Sequence, residues 1–424
     1  MNDMNSNTKI NRRAFLAGSL SLAGVTPAWG APTGLLRLAG SGTQPTEARP
    51  QRLVLLQLSG GNDGVSTIVP FGDDAYHASR KTTHIAAKEV LPIDRYRGFH
   101  PRLGSLRGLF DDGRLAIVEG AGYPQPILSH FKCLEVWHTA RHAGRSSGEG
   151  WISRLVENTW PSTPSTERVV HFGSSVPYSV YSTRRPAINL ESPSAYQFLG
   201  SESGGRARIE TGRAPVRSNG LGGPGGSGGS RALDRLRKIM RDADDTSGRI
   251  REAAFAYGTP VEYPDSALGH TLKDVAALIA SSMETRVFSL AYGGFDTHAG
   301  QLGAHNNLMS TLDGALGAFV RDLARSEAGR ETVVLVFSEF GRRLKENGSR
   351  GHDHGKAGPM FVLGERVRGG LYGRHPSLSD LDNGDLRFTT DFRSVYATLI
   401  KRWFGADDKM VLGERYPQLD LLRA

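Results

Sequence analysis

The sequence predicts an α/β protein with a central, largely parallel sheet flanked by helices. Two observations carry this. Apolar runs of strand length recur along the chain, among them "LVLLQL" (53–58), "RLAIVEG" (114–120), "ERVVHFG" (167–173), "TRVFSLAY" (285–292) and "TVVLVFS" (332–338). Segments with helical spacing of apolar residues separate them, such as "NNLMSTLDGALGAFVRDLA" (306–324). Strands that alternate with helices belong to parallel sheets.

The elements follow in order. The first run, 53–58, breaks at "SGGNDG" and reads as a buried strand ending in a tight turn. "HPRLGSLRGLFDDG" (100–113) reads as a helix with Pro101 at its first position and Gly113 at its C-terminal cap. The strand 114–120 follows, then a helix over "SHFKCLEVWHTARH" (129–142) with Ser129 as N-cap. Between Gly200 and Ser230 the composition turns to glycine, serine and arginine, which cannot pack a core and predicts a flexible excursion. A polar, charged helix over 231–256 is expected next. Helices over 267–283 and 306–324 bracket the strand 285–292, and "DFRSVYATLIKRWFG" (391–405) supplies the last helix. There is no internal repeat.

The first 31 residues are set apart. "NRRAFLAGSLSLAGVTPAWGA" pairs Arg12 with Arg13, follows them with an Ala-, Gly- and Leu-rich stretch, and ends in small residues near Gly30 and Ala31. This is the layout of a twin-arginine export signal, and the translocase that reads it is the one partner it implies. The expected location is periplasmic or secreted, with a mature domain over 32–424 interrupted by an insertion at about 200–231. Twin-arginine export moves folded proteins, often with a cofactor in place. The apolar run is too short to span a bilayer, and no later segment reaches that length. Cys133 is the single cysteine, so no intrachain disulfide can form and stability rests on the core.

The formal charge of +9 becomes +7 once Asp3, Lys9, Arg12 and Arg13 leave with the signal. The arginines are dispersed rather than interleaved with aromatics, which excludes a nucleic-acid surface. No haem, iron–sulfur or dinucleotide motif supports a redox role.

Parallel sheets gather their functional loops at the carboxyl ends of the strands. Three such loops carry acids or histidines: "SGGND" with Asp63, "YGGFDTHAG" with Asp296 and His298, and "FSEFG" with Glu339. A fourth cluster, "GHDHG", holds His352, Asp353 and His354. Residues two apart on extended backbone point the same way, so Asp296 with His298, and His352 with His354, can each converge on one ion. Carboxylates plus imidazoles suit a divalent cation such as Zn, Mn or Mg, and calcium less. Each residue also has a plainer role. Asp63 is an ordinary turn residue, Asp296 and His298 a capping pair, Glu339 a partner for Arg342 or Arg343, and the histidine pair a solvated bend. Ser129 either caps its helix or, beside a metal, acts as nucleophile. His130 next to it is either a ligand or a contact for a substrate anion.

The ordered motifs "LVLLQLSGGNDGVSTIVPF", "YPQPILSHFKCLEVWHT", "GGFDTHAGQ", "FSEFGRRLKENGSRGHDHG" and "TDFRSVYATLIKRWFG" closely resemble the DUF1501 family of exported bacterial proteins, over nearly the whole mature chain. That family is similar in fold to the alkaline phosphatase and sulfatase superfamily. The resemblance implies that Asp63 matches the metal-binding acid after the first strand and Ser129 the nucleophile opening a helix. It also implies that Asp296 and His298 match an Asp/His ligand pair and His354 a late histidine ligand. One departure stands out: Glu339-Phe340-Gly341 replaces the usual Asp-His-Gly, and Phe340 cannot bind metal. A second ion would therefore need His352 or Asp353.

The expected protein is an exported, metal-dependent hydrolase of a phosphate or sulfate ester. Ser129 attacks, His130 and Arg342 contact the anion, and Asp63, Asp296, His298, Glu339, His352, Asp353 and His354 supply metal ligands. The alternative is a non-catalytic, metal-stabilised binding or cell-surface assembly protein on the same scaffold.

Overall fold

The structure is a computed structural model that describes residues 50–142, 148–161, 166–196 and 244–423. The export signal and the glycine-rich excursion lie outside the described residues.

The strands of the large sheet, numbered in chain order, are β1 (Arg52–Leu58), β2 (Leu115–Gly122), β3 (Val169–Phe172), β4 (Ile188–Leu190), β5 (Val287–Tyr292), β6 (Thr332–Phe337), β7 (Gly358–Leu363), β8 (Gly370–Tyr372) and β9 (Thr390–Asp391). They lie in the order β8-β2-β7-β6-β1-β5-β3-β4, and β9 also pairs with β2. β1 is parallel to both β5 and β6, with Leu55 opposite Ser289 on one side and Leu335 on the other. β3 is parallel to β5 and β4. Only β7 runs against its neighbours, pairing antiparallel with β2 and β6. The expected largely parallel sheet is present.

Both faces of this sheet are covered, which is why its strands are apolar throughout. Successive residues point to opposite faces. Leu53 and Leu55 join one core, with Trp137, Trp151, Val395 and Tyr396. Val54, Leu56 and Leu58 join the other, with Leu106, Leu272, Val275, Leu312 and Leu316. Each such buried side chain is worth about 1.5–3 kcal/mol of transfer free energy.

Six helices matter below: α1 (Gly64–Thr67), α2 (Gly104–Asp111), α3 (His130–Thr139), α4 (Trp151–Thr159), α5 (Ala267–Ala280) and α6 (Gln301–Leu323). α2, α5 and α6 supply the second core and α3 and α4 the first. α5 is capped by Ser266, whose hydroxyl accepts from the Gly269 amide at 3.1 Å.

Several boundaries differ from the sequence reading. α2 starts at Gly104, so Pro101 lies in the turn ahead of it, while Gly113 takes the expected left-handed conformation (φ 67°) just past the end. Of the charged helix expected over 231–256, residues 244–256 are helical and 231–243 lie outside the described residues. The helix expected last, described as Arg393–Thr398, widens into a π turn over Leu399–Trp403, and a further short helix, Asp408–Leu412, follows it. No helix among the described residues is long and apolar enough to cross a membrane.

Candidate metal centre

The carboxyl ends of β1, β2, β5 and β6 bring the polar loops to one rim. Asp63 follows β1, Asp296 and His298 follow β5, and Glu339 follows β6. His130 opens α3 after β2. His354 precedes β7, whose reversed direction starts it at the same rim.

Three donor groups converge there. One ligand atom from each of His130, Asp296 and His354 lies within 4.8 Å of the others. His354 Nε2 is 3.4 Å from Asp296 Oδ1, and His130 Nε2 is 3.6 Å from Asp296 Oδ2. His298 adds its Nδ1 at 2.9 Å from Asp296 Oδ1. The imidazoles of His130 and His354 meet edge to face, 4.7 Å apart.

The far nitrogens of these rings decide where the protons sit. His130 Nδ1 faces Glu339 Oε1 at 3.1 Å, and His354 Nδ1 faces the Leu128 carbonyl at 2.9 Å. A carboxylate or carbonyl oxygen only accepts, so both Nδ1 atoms carry the proton. Both Nε2 lone pairs are then turned toward the Asp296 carboxylate. His354 Nε2 is buried and has no hydrogen-bond partner. Two lone pairs aimed at an anion repel it unless a cation lies between them. One proton satisfies two of the three groups; it takes two protons, or a single metal ion, to satisfy all three. Metal-bound histidines characteristically donate their second N–H to a carboxylate or carbonyl, as both do here. The donor set therefore fits a divalent metal.

Arg342 lends this centre its field. It is 1% exposed, and its Nη2 donates to Asp296 Oδ1 at 2.6 Å. Partial desolvation would raise the Asp296 pKa, but the hydrogen bond and charge of Arg342, with His298 and His130 nearby, hold it below the usual carboxylate range. The His298 pKa is lowered, first by desolvation and then by Arg342. The other Arg342 donors reach the backbone carbonyls of Gly61 at 2.8 Å, His352 at 2.8 Å, Phe295 at 3.0 Å and Gly60, and Nη1 also faces the His298 ring nitrogens at 3.4 and 3.5 Å. Arg342 is an internal strut, not the substrate clamp or surface partner that the sequence suggested.

The other expected ligands do not join the three. Asp63 is fully buried in a two-pronged ion pair with Arg80, at 2.5 and 3.0 Å. It also accepts from Gln301, the Ser66 hydroxyl and the amides of Val65 and Ser66, so it caps α1. Its carboxyl has no oxygen left for an ion. His352, also fully buried, bonds Thr83 Oγ1 at 2.9 Å and the Arg343 carbonyl at 3.1 Å. Asp353 is exposed and accepts from Asn347 at 3.0 Å. Glu339 orients: besides His130, its Oε1 accepts from the Gly60 amide at 2.8 Å.

Ser129 occupies the N-cap position of α3, yet its side chain makes no capping hydrogen bond. The hydroxyl is half-buried and one residue from His130.

Phe340 is the wall of the site. Its ring lies 4.3 Å from that of His354 and 4.9 Å from that of His130, so it packs against both imidazoles. Gly61 makes room for it: at φ 83°, a Cβ there would stand 2.0 Å from Phe340 Cε2. Glycine also serves backbone packing in "GHDHG". A Cβ on Gly351 would lie 2.2 Å from the His298 carbonyl carbon, so this glycine approaches backbone and not a ligand. Arg80, the Leu128 carbonyl and the packing role of Phe340 were missed in the sequence, because only tertiary contact reveals them.

Residues 228–413 match the family model described as "Protein of unknown function (DUF1501)". The match covers less than half of the chain. The match takes in Asp296, His298, Glu339, Arg342 and His354 and leaves out Asp63, Ser129 and His130. The DUF1501 match is thus narrower than the near-complete resemblance expected from the motifs. No curated protein matches the chain. Among solved structures, the chain is similar to a protein of the alkaline phosphatase superfamily from Vibrio parahaemolyticus, at 11% identity and TM-score 0.37, over 87% of this chain and 71% of that one. A putative sulfatase from Bacteroides thetaiotaomicron gives 10% identity and TM-score 0.37, over 87% and 75%. The C-terminal periplasmic domain of EcEptC from Escherichia coli, in complex with Zn, gives 9% and 0.33, over 74% and 72%. Likeness at this level leaves function to the residues themselves.

Proposed function

We propose that Asp296, His130 and His354 hold one divalent cation, Zn, Mn or Mg, and that the protein uses it to hydrolyse a phosphate or sulfate ester. The observation that carries this reading is the pair of Nε2 lone pairs, fixed by Glu339 and Leu128, aimed at one carboxylate. Bound there, a cation polarises an ester oxygen and favours ionisation of a nearby hydroxyl.

In this reading the chain's own residues divide the work. Ser129, left out of its cap, supplies the nucleophilic oxygen. Its Oγ gives up its proton to solvent and forms a bond to phosphorus or sulfur as the bond to the leaving oxygen breaks and that oxygen takes up a proton; water then cleaves the Oγ–P or Oγ–S bond, returning a proton to Ser129 and releasing the acid. His298, with its Nδ1 2.9 Å from Asp296 Oδ1, flanks that carboxylate on its open side. Arg342 keeps it ionised. Phe340 excludes water from one side of both imidazoles.

The test is turnover of a panel of aryl phosphates and sulfates by metal-replete protein, wild type against Ser129→Ala. Activity lost in the variant at unchanged metal content supports the hydrolase. A metal-loaded wild type inert on the whole panel supports the second reading, a metal-stabilised binding or assembly protein. One observation favours that alternative: Asp63 and Arg342, both expected to work, are locked in internal contacts.

We place the protein outside the cytoplasm, on the strength of the twin arginine at Arg12 and Arg13. A reporter fused to residues 1–31 should be exported, and replacing both arginines with lysine should abolish export.

A further inference from the structure

A cleft of about 950 Å³ opens against α3, floored by the carboxyl ends of β1, β3 and β5. It contains none of the three metal donors, although Phe131 on its rim directly follows His130. Its volume lies at the upper end of small-molecule sites. We propose that this cleft is a saccharide-binding site, one that takes a neutral, hydroxyl-rich ligand with apolar ring faces.

Three observations point to that chemistry. The first is aromatic. Phe131, Tyr178 and Tyr181 line the cleft while 86%, 57% and 43% exposed, respectively. Exposed rings around a concavity are costly to leave in water and provide flat faces on which sugar C–H surfaces stack. The backbone that carries Tyr178 is tightly packed. Tyr178 and its neighbour Ser179 sit so close to Gly150, the N-cap of α4, that a Cβ there would meet their carbonyl oxygens at 2.0 and 2.1 Å.

The second is a vacant acceptor on His138, beside a second buried imidazole. His138 and His171 line the cleft and are 5% and 4% exposed. His138 Nε2 lies 2.7 Å from Gln57 Oε1. The Gln57 amide nitrogen in turn donates to Ser59 Oγ at 2.9 Å. With the Gln57 oxygen toward the ring, the His138 proton is on Nε2 and Nδ1 is a bare acceptor. Neither His138 Nδ1 nor His171 Nδ1 has a hydrogen-bond partner. Desolvation lowers both pKa values to about 4, so both rings are neutral at pH 7. A hydroxyl donor is the complement to the buried neutral His138 acceptor, whose unmet bond is costly.

The third is charge. Among the described residues, Lys132 and Glu135 are the only charged residues in the lining, and they lie 3.4 Å apart. The described lining offers no arginine fork for an anion, and a neutral polar ligand fits it.

This inference does not rest on the metal, and its test keeps the two apart. Metal-stripped full-length protein is titrated with hexasaccharides of glucose, N-acetylglucosamine, galactose and mannose. Binding is read by calorimetry and saturation-transfer NMR. At least one sugar should bind, with metal removal leaving its affinity unchanged. The exposed double variant Phe131→Ala/Tyr178→Ala should weaken it by about tenfold or more, and Tyr178→Trp should retain it. Phe255→Ala, an exposed aromatic outside the cleft, should bind as wild type. No binding by any of the four sugars, or full affinity in the double variant, overturns the proposal.

Discussion

His130 Nδ1 and Glu339 Oε1 stand 3.1 Å apart, and the same oxygen takes the Gly60 amide at 2.8 Å. Glu339 thus ties the start of α3 to the ends of β1 and β6, and it aims the His130 lone pair at Asp296. A buried carboxylate in that position orients a ligand and raises its basicity. Glu339→Gln keeps the shape and removes the charge. Metal affinity should drop by about 10–100-fold, measured by competition with a chelating indicator. Affinity equal to wild type would reject the orienting role.

Asp63 has the opposite expectation. It is fully buried against Arg80. Desolvation would raise its pKa, but Arg80 and the surrounding histidines hold it well below the usual range. Asp63→Asn leaves the guanidinium uncompensated and should cost about 3–5 kcal/mol, read from urea denaturation. Metal content of the folded fraction should not change. A stable variant that has lost its metal would instead make Asp63 a ligand.

Ser129→Ala should leave stability within about 0.5 kcal/mol of wild type, because no capping bond is lost. A working serine cap would cost about 1 kcal/mol. A measured loss of that size would return Ser129 to a capping role.

Acid should destabilise the protein well above the carboxylate range. Burial lowers His100 to about 3 and His138, His171 and His305 to about 4. The unfolded chain titrates these near 6.5. Between those values the unfolded state binds more protons, so stability is complete above about pH 6.5 and declines as pH falls toward 4. Each fully neutral histidine contributes a slope of up to about 1.4 kcal/mol per pH unit. Denaturant midpoints at pH 7.5, 6.5 and 5.5 check this, and a flat profile contradicts it.

The sheet was legible because its strands are buried on both faces and read as unbroken apolar runs. The rim was legible for a related reason: in a parallel sheet, polar loops after successive strands share one edge, which brought Asp296, His298 and Glu339 together on paper. The partners of those residues were not legible. Arg80 reaches Asp63 from 17 positions away across a packed core, and no spacing rule announces it. His352 and His354 are two apart, yet one is sealed against Thr83 and the other faces Asp296. His354 pairs with Arg342 in a short antiparallel ribbon, and His352 lies before that ribbon begins. Phe340 looked like a missing ligand because its packing against two imidazoles is visible only in three dimensions.

The most direct measurement is elemental analysis of the purified full-length protein beside its His354→Ala and Asp63→Asn variants. One equivalent of a divalent transition metal or magnesium is predicted in wild type and in Asp63→Asn, and none in His354→Ala. Wild type without metal after exposure to Zn, Mn and Mg, or His354→Ala with a full equivalent, contradicts a centre built on Asp296, His130 and His354.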